Sequence, residues 1–213
     1  MALHLLLALL LVGTMNRIAL NSDTKPAPRI SLAGLLLVAS PSQHQGVFEQ
    51  AVCLVLEHSD EKAVGIVLNK PMQVSFASFL SQVAPDLSSN ASSKLLHFGG
   101  PESGPILAVH DVPELAEGGN QLGIYLSAQV DHLKQLAESN TRKLKLYAGS
   151  LFWGPTELDR QVVSGDWHLL QAAPEIVFDD ESSMWINAMR SIANQIYTEA
   201  TGMDLKGYNC QLN

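Results

Sequence analysis

The chain has 213 residues, 46% of them hydrophobic and 16% charged, which is enough apolar material for one sizeable core and excludes a disordered chain. Lys and Arg number 13 against 21 Asp and Glu, a formal net charge of -8, and such a surface repels a phosphate backbone on average. The two cysteines, Cys53 in an apolar run and Cys210 near the end, make neither a disulfide framework nor a zinc site.

The N-terminus carries a continuous apolar run, Leu5 to Val12. A bilayer span takes roughly 20 residues, so the run is too short to cross, and its length suits the core of a secretory signal. No Lys or Arg precedes it, no Ala-x-Ala site follows, and Met15 offers a second start. Three readings stand: an early start or loose extension, a signal, or a membrane-associating segment. The expected location is cytoplasmic, with export the alternative if residues 1–14 act as a signal. Membrane contact arises only if the run is real and retained. Pro26 and Pro28 bar a helix from the polar linker at 21–31. The extension and linker are assigned to residues 1–31, the folded domain to 32–202 and a tail to 203–213.

Leu35 to Ala39, closed by Ser40 and Pro41, reads as a buried strand, and Val52 to Leu56 as the next. The charged turn from Ser59 to Lys62 leads into a strand from Val64 to Leu68, which Asn69, Lys70 and Pro71 end. Phe76, Phe79, Leu80 and Val83 fall at helical spacing and predict an amphipathic helix over 75–83, capped by Ser75. A polar loop follows over 86–93. Leu95 to Phe98 and Ile106 to Val109 are strands flanking Gly99, Gly100 and Pro101. Gly118, Gly119 and Asn120 form a turn before a strand from Leu122 to Leu126. Val130, Leu133, Leu136 and Ala137 mark a second helix with Ser127 as its cap. Leu144 to Tyr147 is a strand with Lys143 and Lys145 outward, and the cluster Arg142, Lys143, Lys145 reads as solvated charge. Gly149 to Gly154 is a bend holding Phe152 and Trp153. Thr156 to Val163 is a short helix that Gly165 can end, Trp167 to Leu170 and Ile176 to Phe178 are strands, and Met184 to Tyr197 is a closing helix stopped at Gly202. Strands and helices alternate irregularly, with short links and several hairpins. That predicts an α+β fold, largely antiparallel, in place of a doubly wound parallel sheet.

Three blocks carry a family resemblance. The first is Gly-x-Leu-Leu-Val-Ala-x-Pro from Gly34 to Pro41, then Phe48, Ala51 and Val52, Glu57 and His58, and the unbroken run Gly65 to Pro71. The second is Gly99, Gly100 and Pro101 with Leu107 and His110. The third is Gly149, the run Trp153, Gly154, Pro155, then Leu158, Asp159 and Trp167. Over roughly residues 32–190 the chain resembles the bacterial YqgE/AlgH family. In the third block Glu157, Leu158 and Asp159 stand where members usually carry Gln-Leu-Glu, and Ser150 to Phe152 differ from the usual aromatic–glycine link. A role resting on that Gln amide or the longer carboxylate does not carry over. The resemblance implies a mainly antiparallel, barrel-like sheet flanked by helices in a single domain. The family is named for its fold and gene neighbourhoods, not for a reaction, and some relatives are labelled transcriptional regulators of exopolysaccharide synthesis.

Candidate chemistry is sparse. Glu57 and His58 suggest an acid–base couple, but neighbours on a strand point to opposite faces and cannot grip one atom. His58, His97 and His110 lie on separate predicted strands; convergence would make a metal triad, though no close ligand spacing supports it. Lys70 could be a catalytic lysine at a strand end. The structural reading, with Asn69 taking the turn and Pro71 stopping the strand, is preferred. Gly99 and Gly100 more simply permit a sharp bend than an anion nest. Thr156 and Asp159 fit a capping box better than a carboxylate site with Asp166. Trp153, Trp167 and Trp185 read as core anchors. No nucleophile elbow, HExxH or CxxC motif is present.

The reading is a non-enzymatic binding or regulatory protein with no catalytic residue, metal or cofactor assigned. His58, Asn69, Lys70 and His110 are its candidate ligand-binding residues, and a protein or small molecule is its partner. The acidic balance and the lack of a helix-turn-helix signal argue against direct DNA binding. The alternative is a hydrolase or metal-dependent enzyme using His58, His97 or His110 in a sheet-end pocket.

Overall fold

A computed structural model of the chain describes residues 30–43, 46–83, 94–120, 122–139 and 143–202. The N-terminal apolar run, the 86–93 loop, Arg142 and the tail with Cys210 lie outside the described residues. Apolar runs with a period of two give two sheets. In the first, β10 (Leu151–Trp153), β3 (Ala63–Val67), β2 (Val52–His58), β1 (Leu35–Ala39) and β11 (Trp167–Gln171) lie side by side in that order, all pairs antiparallel. The second runs β4 (Pro71–Ser75), β5 (Leu95–Phe98), β9 (Leu144–Ala148), β6 (Leu107–His110), β8 (Ile124–Ser127) and β7 (Gly118–Asn120). Its β5–β9 pair is parallel and the others antiparallel. The helices are α1 (Phe76–Val83), α2 (Val130–Glu138), α3 (Glu157–Val163), α4 (Pro174–Val177) and α5 (Glu181–Thr201). The fold is α+β and mainly antiparallel, but the two sheets do not close into a barrel.

Alternation along the strands divides the core into three layers. Leu36, Val38, Leu54 and Ile66 turn one way to meet Val109, Ile124 and Tyr147 of the second sheet and Met184, Ala188 and Ile192 of α5. Leu37, Ala39, Cys53 and Val67 turn the other way, where Trp153, Leu158 and Trp167 pack. Leu96, Ala108 and Leu146 of the second sheet meet Phe76 of α1 and Leu133 and Leu136 of α2. Each buried Val, Leu, Ile, Phe or Met side chain among them contributes about 1.5–3 kcal/mol.

Two stretches of chain pass from one sheet to the other: β3 runs on through Leu68 to Lys70 into β4, and β9 through Gly149 and Ser150 into β10. At this corner backbones touch. Gly99 N–H donates to Ala148 O at 2.8 Å, and Glu102 and Ser150 exchange two bonds of 3.0 Å. A Cβ on Gly99 would stand 2.3 Å from Gly149 O, and one on Gly149 would stand 2.2 Å from Gly100 O, with Gly149 at φ +78°. The sharp bend expected at Gly99 and Gly100 is therefore a crossing of two chains that leaves no space for a side chain.

Several elements differ from expectation. Ile176 to Phe178 is not a strand; Pro174 opens α4, which lays Val177 into the core. Gly118 to Asn120 is the edge strand β7, not a turn, and Pro71 begins β4 after the sheet change. The expected bend at Gly149 to Gly154 contains β10. Ser127 does not cap α2: Gln129 holds the cap position, and the Glu117 carboxylate reaches across to accept from the N–H groups of Ala128 and Gln129. Thr156 makes no capping bond, standing at φ +58°, and Glu157 instead accepts from Gly154 N–H at 3.0 Å. Lys145 is not outward; its side chain is 11% exposed and reaches Glu181 at 2.9 Å. Ser75 does cap α1, through Ser78 N–H at 3.1 Å, and Gly165 (φ +82°) and Gly202 (φ +71°) stand just past the ends of α3 and α5.

Candidate functional site

The sequence-derived candidates lie apart, each held by its own partners. Between Val55 and Glu57 the register of β2 slips against β3. This bulge sends Glu57 to the surface, where it pairs with Lys62 at 2.9 Å, and turns His58 toward α3. His58 Nδ1 accepts from Leu32 N–H at 3.1 Å, so the remaining ring proton sits on Nε2, 3.4 Å from Asp159 Oδ1. His58 thus ties the chain entering β1 to α3.

Asn69 and Lys70 brace one turn. Asn69 Oδ1 accepts from Val52 N–H at 3.0 Å, and its amide donates to Gln50 O at 2.8 Å. Lys70 Nζ donates to Glu49 O at 2.8 Å. Gln50 has φ +50°, a conformation that costs about 1–3 kcal/mol and is held by these two side chains.

His110 resembles half of a Ser–His dyad, since its Nε2 lies 2.9 Å from Ser127 Oγ. The proton runs the wrong way for nucleophile activation. Val112 N–H donates to Nδ1 at 3.2 Å, which leaves the proton on Nε2, and Ser127 passes its own on to Leu115 O. Both side chains are buried. Burial lowers the His110 pKa below its ordinary 6.5 despite the nearby Asp111.

His97 joins a different group. Its Nε2 meets Glu181 Oε1 at 2.9 Å, Lys145 reaches the same oxygen at 2.9 Å, and Asn187 donates to Asp179 Oδ2 at 2.7 Å. Burial alone would raise the Glu181 pKa, but the Lys145 ammonium and then His97 outweigh it and hold the carboxylate low. This group fastens the start of α5 to the second sheet. Among the described residues no three His, Cys, Asp or Glu side chains gather as a metal site, and the three histidines do not converge.

On the first-sheet side, α3 is a platform. Trp153 Nε1 and Trp167 Nε1 both donate to Gln161 Oε1, at 3.1 and 2.9 Å. Trp153 lies over Gly65, where a Cβ would come within 3.1 Å of the ring.

A cleft of about 520 Å³ opens between β11, α4 and α5. Leu170, Ala173 and Ile176 form its apolar side. Gln171, Ser191, Asn194, Gln195, Thr198 and Glu199 supply amides, hydroxyls and one carboxylate. Its volume falls within the roughly 300–1,000 Å³ of ligand pockets. None of these residues was singled out from sequence. The available signal was Ser191, Asn194, Gln195 and Thr198, uncharged polar residues recurring with the helical spacing normally sought in apolar ones.

The AlgH-like family model (DUF179) matches residues 36–197. The chain belongs to the YqgE/AlgH family. A UPF0301 protein of Cereibacter sphaeroides is 34% identical over 168 residues, covering 76% of this chain and 91% of the relative. A UPF0301 protein of Chlorobium luteolum is 26% identical over 184 residues, 83% of this chain and 94% of its own. The solution structure of the AlgH protein from Pseudomonas aeruginosa superposes with a TM-score of 0.66 at 22% identity, covering 84% of this chain and 97% of that one. The fold is shared with that structure.

In this AlgH-like chain the family blocks fall on structural joints. Gly99, Gly100 and Gly149 make the sheet-to-sheet corner, and Trp153, Leu158 and Trp167 make the α3 platform. Asn69 and Lys70 brace the Gln50 turn.

Proposed function

We propose that this AlgH-like protein is a binding protein without a reaction of its own, and that the cleft between β11, α4 and α5 is where it binds. The cleft carries this reading: it joins an apolar floor to convergent amides and hydroxyls, and among the described residues Glu199 is the one titratable group that lines it. The tautomers and partners of His58 and His110 support the same view, because neither ring offers a free basic nitrogen. The ligand is a protein segment or a small molecule, and the setting is the cytoplasm. A regulatory role of the kind attached to some relatives then runs through protein contact, not through DNA. The test is amide chemical-shift mapping of the full chain with small neutral amides. Shifts confined to residues 170–176 and 191–199 are expected. Turnover of p-nitrophenyl acetate or phosphate that disappears in His58→Ala or His110→Ala overturns the reading in favour of a hydrolase.

A further inference from the structure

Resting on that cleft as the binding site, we propose that its occupant is a short extended segment of a partner protein carrying a lysine or arginine beside an apolar residue. Charge selects the cation. The cleft lies along the last three turns of α5, from Ser191 to Glu199, and among the described residues no cation lines it. The negative end of the helix dipole lies at the same place, and the last turn of α5 holds no basic residue. Glu199 adds a full charge there, oriented by Gln195 Nε2 at 3.1 Å. Glu175 stands on α4 between the lining residues Ala173 and Ile176. Arg190, the one cation of α5, is turned to Asn187 Oδ1 at 3.2 Å.

The walls select a peptide. Amides from Gln171, Asn194 and Gln195 and hydroxyls from Ser191 and Thr198 present donors and acceptors in mixture, which is what successive peptide groups require. Leu170, Ala173 and Ile176 give an apolar side chain its seat. Within that frame, a cationic side chain reaches Glu199 and the α5 carbonyl end while its neighbour fills the floor.

The test uses the full chain, isotopically labelled, at about 0.15 M salt, where exposed charges more than about 8 Å apart are largely screened. The probes are two acetylated, amidated hexapeptides, Ser-Leu-Lys-Leu-Lys-Ser and its glutamate counterpart Ser-Leu-Glu-Leu-Glu-Ser. The lysine peptide should saturably shift amides at 170–176 and 191–199, and the glutamate peptide should not. Glu199→Gln should weaken the lysine peptide about tenfold, the loss of one charge-assisted contact, with the folded spectrum kept. Asn194→Arg should abolish binding. Equal binding of both peptides at the cleft overturns the cationic partner and leaves the binding site standing. Shifts from either peptide that map elsewhere overturn both. A chain ending at Gly202 that binds the lysine peptide tenfold tighter makes the protein's own tail the occupant and overturns the partner.

Discussion

At the scale of single residues, the histidines divide into fasteners with different consequences for pH. The folded-state pKa of His110 is depressed by burial, so the unfolded chain takes up the proton first as pH falls. Its contribution is fully present above the ordinary 6.5 and is lost as pH drops through the lower folded value. Glu117 acts in the same direction at lower pH. Burial works to raise its pKa, but bonds from Ala128, Gln129 and His132 hold it below 4.5, so its contribution fades as pH falls from there. The melting temperature should therefore decline as pH falls below the ordinary 6.5, and His110→Asn should flatten that decline even if it lowers the plateau. A pH series that is equally steep in both proteins removes His110 from the account. Trp153 is 2% exposed and packs on Gly65. Trp153→Ala should cost about 3–5 kcal/mol in a urea melt, the range for deleting a buried aromatic. His58→Ala should cost less, because it removes two polar contacts, one to Leu32 N–H and one to a partly exposed carboxylate, and leaves the β2–β3 ladder paired.

At the scale of elements, the sheet-to-sheet corner is the least forgiving part of the fold. Gly149→Ala adds a Cβ against Gly100 O and takes a side chain into positive φ, so overpacking and strain of about 1–3 kcal/mol each combine. A loss of about 2–6 kcal/mol is expected in denaturant melts. Gly104→Ala, with nothing within 4 Å, should stay within about 0.5 kcal/mol and serves as the control. The strands at 35–39, 95–98 and 144–148 and the helix ends at Gly165 and Gly202 were legible because their signals are local: apolar runs and positive-φ glycines. Ile176 to Phe178 was not, since three apolar residues fit a strand or a helical turn and only the preceding Pro174 tips the balance. The cap of α2 was hidden because Glu117 acts from eleven residues upstream of Ala128. The pairing of β5 with β9 and the path of β3 into β4 depend on contacts distant in sequence, which no window along the chain reveals. The cleft stayed illegible for the same reason, its two walls coming from β11 and α5.

At the scale of the whole molecule, a net charge of -8 leads us to expect little attraction to nucleic acid. Lys62, Lys134 and Lys145 face Glu57, Asp131 and Glu181. Duplex DNA should show no sub-micromolar binding at physiological salt; phosphate contacts alone reach roughly 10⁻⁴ to 10⁻⁶ M. Tight binding that weakens steeply with added salt would restore direct transcriptional control. The described members of the core clusters run from Leu32 onward. A chain starting at Met15 should accordingly melt within a few degrees of the full chain, and a collapse in soluble yield would show the contrary. The convergence of two indoles on Gln161, with Trp185 donating to Ala39 O at 2.9 Å, gives the protein an optical signature of its own. Release of α3 from the first sheet frees two of the three indole N–H groups to water at once, whereas loosening of α5 frees the third. Tryptophan emission should thus resolve which side of the first sheet opens first, without any attached dye, and Trp185→Phe assigns the two signals.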